Sequence, residues 1–127
     1  MKILVIDDDP AMTELTRLLL LQFSADIFTV NSGIEGINVT KASNPDIILL
    51  DLMMPEMNGW DVCKRIREFS NVPILILSAL DSPQFIAEAL DAGADDYIIK
   101  PVGSNILIAH INKLIRRKNL LVNVFAT

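Results

Sequence analysis

The chain has 127 residues, which is room for one domain and too little for two independent cores joined by a linker. Hydrophobic residues make up 51% of it, yet no apolar stretch reaches the roughly 18 to 20 residues that a membrane-spanning helix needs. Early acidic residues argue against a signal peptide, and the single cysteine, Cys63, excludes an internal disulfide and a cysteine metal cluster. We therefore expect a cytoplasmic protein without membrane contact.

The net charge of −5 conceals an uneven distribution. All 16 acidic residues lie between Asp7 and Asp96, and seven bases in the first 100 residues leave that part at −9. The last 27 residues carry four bases and no acid. A body this acidic is expected to attract cations or a basic partner rather than to contact nucleic acid directly.

Short, continuous apolar runs predict strands that are buried on both faces, as in a parallel sheet. The runs and their weaker counterparts are residues 3–6, 26–30, 47–50, 74–77 and 96–99. Segments with helical spacing lie between them and begin at typical capping residues: Asp9-Pro10, Ser32, Asn58, Ser82-Pro83 and Ser104. A strand followed by a helix, five times over, predicts a single doubly wound α/β domain with helices on both faces of the sheet.

Polar side chains follow four of the five predicted strands. Asp7 and Asp8 follow the first strand and Asp51 the third, whereas Ser78 ends the fourth and Lys100 follows the fifth. In open parallel sheets, ligands bind beyond the carboxyl ends of the strands. Crowded carboxylates need positive charge nearby, which Mg²⁺ and a lysine supply, and such a set suits phosphoryl groups. The pattern favours a phosphoryl-handling cation site, and a structural salt-bridge cluster is the alternative.

Taken together and in order, these motifs resemble the receiver domain of two-component response regulators. The matching segments are residues 3–9, 51–59, 78–79 and 95–101. The similarity covers residues 1–118, and residues 119–127 are then a tail or the start of a linker. Residues 89–97 are most similar to receivers joined to winged-helix DNA-binding domains. The resemblance implies a flavodoxin-like fold with five parallel strands in the order 2-1-3-4-5.

The resemblance also assigns the acidic residues. Asp51 matches the aspartate that accepts a phosphoryl group from a sensor histidine kinase or a small phosphodonor. Asp7 and Asp8 match the residues that bind Mg²⁺ together with Asp51 and the backbone carbonyl of Met53. The chain is then a regulatory phosphoacceptor that catalyses only its own phosphorylation and dephosphorylation.

The remaining site residues match a phosphate-binding and switching set. Ser78 matches the hydroxyl residue that binds a phosphoryl oxygen, and Lys100 matches the lysine that pairs with phosphate. The Lys100–Pro101 bond resembles the family's cis peptide, which proline makes accessible. Tyr97 matches the aromatic residue whose ring fills the space that Ser78 vacates on phosphorylation, so the pair is a two-state switch.

The switch is expected to alter the face made by the fourth helix, the fifth strand and the fifth helix, which would control a downstream effector domain or protein. Related receivers dimerise through this face by interlocked charges. A glutamate is usual at the position of Ile106 and an arginine at that of His110. Because both are absent, the usual salt-bridged homodimer is in doubt.

Two further positions bear on how long a phosphoryl group persists. The residues that tune dephosphorylation in the family match Met53 and Leu80, and both are apolar here. Neither side chain can orient an attacking water molecule. We therefore expect slow self-dephosphorylation.

Several conspicuous residues have simpler structural explanations. Asp9 is expected to be a helix cap, Cys63 and Trp60 to be packing residues, and His110 to lie at the surface or an interface, away from catalysis. As the only histidine, His110 excludes a histidine-ligated metal site. Packing is also the expected role of Met53 and its methionine neighbours.

Three other functions compete with the switch. An aspartyl-phosphate phosphohydrolase of the haloacid-dehalogenase type needs a second aspartate where Met53 stands. A flavin-binding electron carrier needs a hydroxyl- and glycine-rich phosphate loop where Asp7, Asp8 and Asp9 would repel phosphate. A pseudo-receiver that binds partners without phosphorylation does not require the intact acid set.

Overall fold

The structure is a computed structural model that describes residues 1–126, with side chains described as far as Leu120. Five strands alternate with five helices along the chain. The elements are β1 (Lys2–Ile6), α1 (Pro10–Leu19), β2 (Asp26–Val30), α2 (Gly33–Ser43), β3 (Ile47–Leu50), α3 (Gly59–Arg67), β4 (Ile74–Ser78), α4 (Pro83–Asp91), β5 (Asp96–Ile99) and α5 (Ser104–Ala126).

All strands are parallel and form one sheet in the order β2-β1-β3-β4-β5, which confirms the predicted fold. β3 and β4 are buried along their whole lengths because helices cover both faces of the sheet. On one face, side chains such as Ile48 and Leu50 pack with residues of α2, α3 and α4. On the other face, side chains such as Leu49 and Leu75 pack with Leu107 and other residues of α5.

The predicted helix starts are correct, but the caps differ in strength. The Asp9 carboxylate accepts a hydrogen bond from the backbone N–H of Ala11, and Asn58 caps α3 through its side chain in the same manner. Ser32 accepts from the backbone N–H of Glu35, but its own hydroxyl donates to the Glu35 carboxylate, so the reciprocal bond of a capping box is altered. Ser82 begins α4 without any side-chain capping bond.

The connection between α4 and β5 depends on a glycine in an unusual conformation. α4 ends at Asp91, and Gly93 has a φ of 117°, as expected for the residue that stops this helix. The Arg67 side chain lies against Gly93 and donates a 3.0 Å hydrogen bond to its carbonyl oxygen. The same guanidinium group also bonds the Val72 carbonyl and the Asp95 carboxylate, so this corner joins α3 to the start of β5.

The last helix continues past the predicted end of the receiver at Lys118. α5 extends to Ala126 without a break, so most of the proposed tail is helical, and its final residue, Thr127, lies outside the described residues. Lys118 forms a 3.2 Å ion pair with Asp46, which attaches this part of α5 to the start of β3. The division between domain and linker stays a prediction. A helix with a long enough apolar stretch to cross a membrane is not found within residues 1–126.

Gly93→Ala should destabilise the protein by about 1–3 kcal/mol, because a side chain at this φ is strained and its Cβ would lie 2.7 Å from Cγ of Arg67. Gly103→Ala is the matched control, since an added Cβ there meets nothing within 4 Å. Urea denaturation measures both changes. Equal midpoints for the two variants would show that the Gly93 conformation is not required.

Candidate functional site

The carboxyl ends of β1 and β3 bring the three predicted acidic residues together. Carboxylate oxygens of Asp7, Asp8 and Asp51 all lie within 4.8 Å of one another. Asp7 is buried, with 5% of its surface exposed, whereas Asp8 and Asp51 are less buried than Asp7. The pairing of β1 with β3 causes this convergence, because Ile6 and Leu50 are register partners and the acids follow them directly.

Lys100 supplies the positive charge that the cluster needs. Its Nζ lies 3.0 Å from Oδ2 of Asp7 and 3.9 Å from Oδ2 of Asp51. The Lys100–Pro101 peptide bond is cis, as the sequence predicted, and the backbone N–H of Lys100 donates to the Ser78 carbonyl. One ammonium group faces three carboxylates, so an excess of negative charge remains at this edge of the sheet.

The environment of Asp51 disfavours its charged form. Burial raises the pKa of Asp51 above its usual value, and the nearby Asp7 charge adds to this, although Lys100 opposes it. Oδ1 of Asp51 accepts a 2.8 Å hydrogen bond from the backbone N–H of Leu52, which fixes the orientation of the carboxylate. The Asp51 backbone N–H donates to the Ile6 carbonyl.

The predicted switch residues adjoin the acidic cluster on its β4–β5 side. Ser78 is almost completely buried, and its Oγ accepts a 3.3 Å hydrogen bond from the backbone N–H of Leu80. The Tyr97 hydroxyl donates a 2.6 Å bond to the Leu80 carbonyl. Burial raises the pKa of Tyr97, so its hydroxyl is protonated and remains a donor at neutral pH. Ser78 on β4 and Tyr97 on β5 therefore both bind the backbone of the same loop residue, Leu80.

Two residues that support the site were not identified from the sequence. The Asn31 side chain donates a 2.9 Å hydrogen bond to the Asp7 carbonyl. Asn31 follows β2, so asking which polar residue follows each strand would have found it. Gly59 donates from its backbone N–H to the Leu52 carbonyl, and an added Cβ would lie 2.3 Å from the Asp51 carbonyl oxygen.

Other residues singled out in the sequence contribute no side chain to the group of three carboxylates. Cys63 is fully buried, and burial raises its pKa to about 11, which leaves the thiol protonated. Met53 has 60% of its surface exposed, and the metal-binding role of its carbonyl stays a prediction. His110 on α5 lies 2.7 Å from the Asp96 carboxylate, which also binds Lys113. Hydrogen bonds from Lys113 and His110 outweigh the effect of burial and lower the pKa of Asp96.

The donor set fits a small, hard divalent cation. Mg²⁺ is usually bound by one or two carboxylates and keeps several water molecules, and Asp8 and Asp51 are open enough to allow this. Asp7 is already paired with Lys100 through one oxygen, and its other oxygen accepts from the Asp9 N–H. A cation at this edge would offset the charge that Lys100 leaves uncompensated.

Gly59→Ala should destabilise the protein by about 2–3 kcal/mol, because its Cβ would meet the backbone of Asp51 and Leu52, which cannot rotate away. In Gly33→Ala the added atom meets only side-chain atoms, a methyl group of Val62 and the Cβ and Cγ of Met57, so the smaller loss is expected there. Urea denaturation of both variants measures the difference. A larger loss for Gly33→Ala would contradict the close approach of α3 to the Asp51 loop.

Asp51→Asn should raise the melting temperature in metal-free buffer at neutral pH by about 3–5 °C. Because the pKa of Asp51 is raised in the folded protein, ionisation of its carboxyl group lowers the free energy of unfolding. This stability is fully present below the pKa of Asp51 in the unfolded chain, and it is lost as the pH rises through the pKa of Asp51 in the folded protein. The rise in melting temperature that Asp51→Asn causes should therefore become smaller as the pH falls into the range where free carboxylates protonate. Scanning calorimetry between neutral and acidic pH measures it.

Asp96→Asn is the control of opposite sign. Because the folded pKa of Asp96 is lowered, its charge stabilises the protein above the unfolded pKa, and this contribution disappears as the pH falls through the folded pKa. The variant should be less stable than the wild type at neutral pH. If Asp51→Asn were also less stable there, the account of the crowded carboxylates would be wrong.

Comparison with known proteins agrees with this geometry. The sequence matches the family described as "Response regulator receiver domain" over residues 3–112. It is 38% identical over 116 residues to the DNA-binding response regulator MtrA of Mycolicibacterium smegmatis, covering 91% of this chain and 51% of that protein. A probable transcriptional regulator, ycf27, of Porphyridium aerugineum is also 38% identical, over 91% of this chain and 48% of the relative. The chain thus spans about half the length of these curated relatives.

Solved structures give the same result. A two-component response regulator from Clostridium difficile superimposes with a TM-score of 0.89 at 32% identity, covering 94% of this chain and 98% of the other. The BeF3-activated N-terminal receiver domain of Klebsiella pneumoniae RstA superimposes with a TM-score of 0.87 at 31% identity, covering 91% and 99%. The resemblance noted in the sequence is confirmed, and the chain belongs to the response regulator receiver domain family, a family of regulatory domains in two-component systems.

Proposed function

We propose that the chain is a phosphoacceptor switch in which Asp51 receives a phosphoryl group from a phosphohistidine of a sensor histidine kinase or from a small phosphodonor. The observation that supports this best is the Asp51 carboxylate beside Asp7, Asp8 and the Lys100 ammonium group. Family membership supports it independently. Burial and the Asp7 charge raise the pKa of Asp51, and the Lys100 ammonium group opposes that rise by favouring the charged carboxylate.

In the proposed reaction, a carboxylate oxygen of Asp51 attacks phosphorus, and an acyl phosphate bond forms as the P–N bond to the kinase imidazole breaks. The imidazole nitrogen keeps the electron pair of that bond and takes a proton. Lys100 neutralises part of the charge on the phosphoryl oxygens, and the Leu52 N–H orients the carboxylate for attack.

We propose Mg²⁺ as the cofactor, bound by Asp7, Asp8, Asp51 and the backbone carbonyl of Met53. The oxygen ligands of the cluster and its excess of negative charge support this assignment. When bound, the cation neutralises charge on the transferring phosphoryl group. The protein holds Asp51 and Lys100 in place through β3 and β5, so little rearrangement is required before transfer.

The phosphoryl group on Asp51 would draw the Ser78 hydroxyl toward it. Ser78 Oγ now accepts from the Leu80 N–H, while Tyr97 binds the Leu80 carbonyl, so a shift of Ser78 changes the position of the loop that Tyr97 holds. We propose that this motion alters the surface made by α4, β5 and α5. The result is a two-state switch set by a local charge.

The partners follow from the same proposal. A sensor histidine kinase would supply the phosphoryl group to this chain in the cytoplasm, and a downstream effector domain or protein would bind the altered surface. The curated relatives are about twice as long as this chain, so any DNA-binding output would belong to a further domain, and this acidic domain would not contact nucleic acid. Dimerisation through α4, β5 and α5 stays in doubt, because His110 bonds Asp96 within its own chain.

Incubation with Mg²⁺ and a small phosphodonor should add the mass of one phosphoryl group to the intact protein. Asp51→Asn should show no adduct, because the amide is not a nucleophile for this reaction. Lys100→Met should reduce the yield at least tenfold, since no other ammonium group among the described residues pairs with Asp51. A missing adduct on the wild type, or an undiminished one on Asp51→Asn, would refute the proposed function.

The phosphorylated protein should lose its phosphoryl group slowly once the donor is removed. Met53 is exposed two residues after Asp51, and Leu80 lies in the loop after β4. Both side chains are apolar, so neither can orient a water molecule. Met53→Asn combined with Leu80→Glu should speed the loss about tenfold or more, measured by intact mass over time. An unchanged decay rate would contradict this role. Phe69→Leu serves as the control, because Phe69 follows the end of α3 and its described ring contact is with Lys41.

A further inference from the structure

We propose that Trp60 is a positioning residue that couples the loop carrying Asp51 to the first turn of α4, independently of Ser78 and Tyr97. The proposal rests on the proposed function, because it concerns how phosphorylation at Asp51 reaches the output surface. Trp60 is the only tryptophan of the chain and stands at the start of α3.

The α3 end of this connection is tightly held. Trp60 follows Gly59, whose backbone N–H donates a 2.9 Å hydrogen bond to the Leu52 carbonyl. The Gly59 Cα approaches the Asp51 carbonyl so closely that a Cβ has no room. A displacement of the Asp51–Leu52 backbone is therefore transmitted directly to the first residues of α3.

The α4 end of the connection is made by two contacts to one residue. Nε1 of Trp60 donates a 3.3 Å hydrogen bond to the Phe85 carbonyl. The rings of Trp60 and Phe85 lie 5.7 Å apart between centroids with an interplanar angle of 57°, which is a favourable tilted arrangement. The Phe85 side chain keeps 38% of its surface exposed with this contact in place.

The start of α4 lacks the side-chain capping bond that α1, α2 and α3 have. α1, α2 and α3 each begin with a side chain that accepts a hydrogen bond from the helix backbone, whereas Ser82 makes no such bond. On the β5 side, Tyr97 holds the preceding loop through the Leu80 carbonyl. Trp60 on α3 thus holds the first turn of α4 through Phe85, and Tyr97 on β5 holds the loop before that turn.

This arrangement gives phosphorylation two routes to α4. One route runs from Ser78 through Leu80 and Tyr97, and the other runs from the Asp51 loop through Gly59 and Trp60. A shift of α4 relative to α3 must stretch or break the Trp60–Phe85 contact. The Trp60 indole therefore limits how far the start of α4 moves when Asp51 is phosphorylated.

Hydrogen exchange at residues 82–86, measured by mass spectrometry, tests the proposal. The samples are the wild type, Trp60→Phe, which loses the N–H donor, and Phe85→Leu, which loses the second ring. The exchange of each protein is measured in the presence of Mg²⁺ alone and again in the presence of Mg²⁺ and beryllofluoride. Phe69→Leu is the matched control, because Phe69 is an equally exposed ring whose described aromatic contact is with Lys41 rather than with α4.

With Mg²⁺ alone, Trp60→Phe and Phe85→Leu should each speed exchange at the start of α4 by about two- to tenfold. Beryllofluoride should change that exchange less in both variants than in the wild type. Phe69→Leu should behave as the wild type does. Unchanged exchange in both Trp60→Phe and Phe85→Leu, under both conditions, would overturn the role of Trp60.

Intact mass after treatment with a small phosphodonor separates this proposal from the one on which it rests. Trp60→Phe should form the Asp51 adduct at the wild-type level, since the described hydrogen bond and ring contact of Trp60 are with Phe85 on α4. If the wild type forms no adduct, the proposed function fails, whatever the exchange results are. If the adduct forms and exchange is insensitive to Trp60 and Phe85, only the coupling through Trp60 fails.

Discussion

The crowding of Asp7, Asp8 and Asp51 is the constraint on which the rest of the structure depends. Their oxygens lie within 4.8 Å of one another, and Lys100 is the cation that pairs with two of them. Like charges at this separation repel one another and oppose folding unless a cation offsets them. This electrostatic cost is why we propose that the domain responds to Mg²⁺ and to a phosphoryl group on Asp51.

The fold places this cluster by simple means. Parallel strands buried on both faces end together, so the residues that follow β1, β3, β4 and β5 share one edge of the sheet. Rigid strands fix the acids, while the loop after β4 and the start of α4 are attached through a few identifiable bonds from Tyr97 and Trp60. A rigid charged centre beside a lightly attached helix is the physical basis of the switch that we propose.

Most of this arrangement could be predicted from the sequence, because local patterns determine it. Apolar runs located the strands, capping residues located the helix starts, and the polar residue after each strand located the site. The interactions that were missed depend on tertiary contacts: Gly59 against the Asp51 carbonyl, the Trp60 indole on Phe85, and the Ser82 hydroxyl that does not cap α4. No local pattern shows which distant backbone a side chain will meet. Asn31 is the exception, since it follows β2 as the other site residues follow their strands.

Calorimetric titration with Mg²⁺ at neutral pH tests the central claim most directly, because the crowded carboxylates should bind one cation and lose their mutual repulsion. The wild type should bind one Mg²⁺ and become more stable to heat, and Asp8→Asn should weaken binding at least tenfold, about 1.4 kcal/mol. No binding by the wild type, or equal binding by Asp8→Asn, would contradict the account.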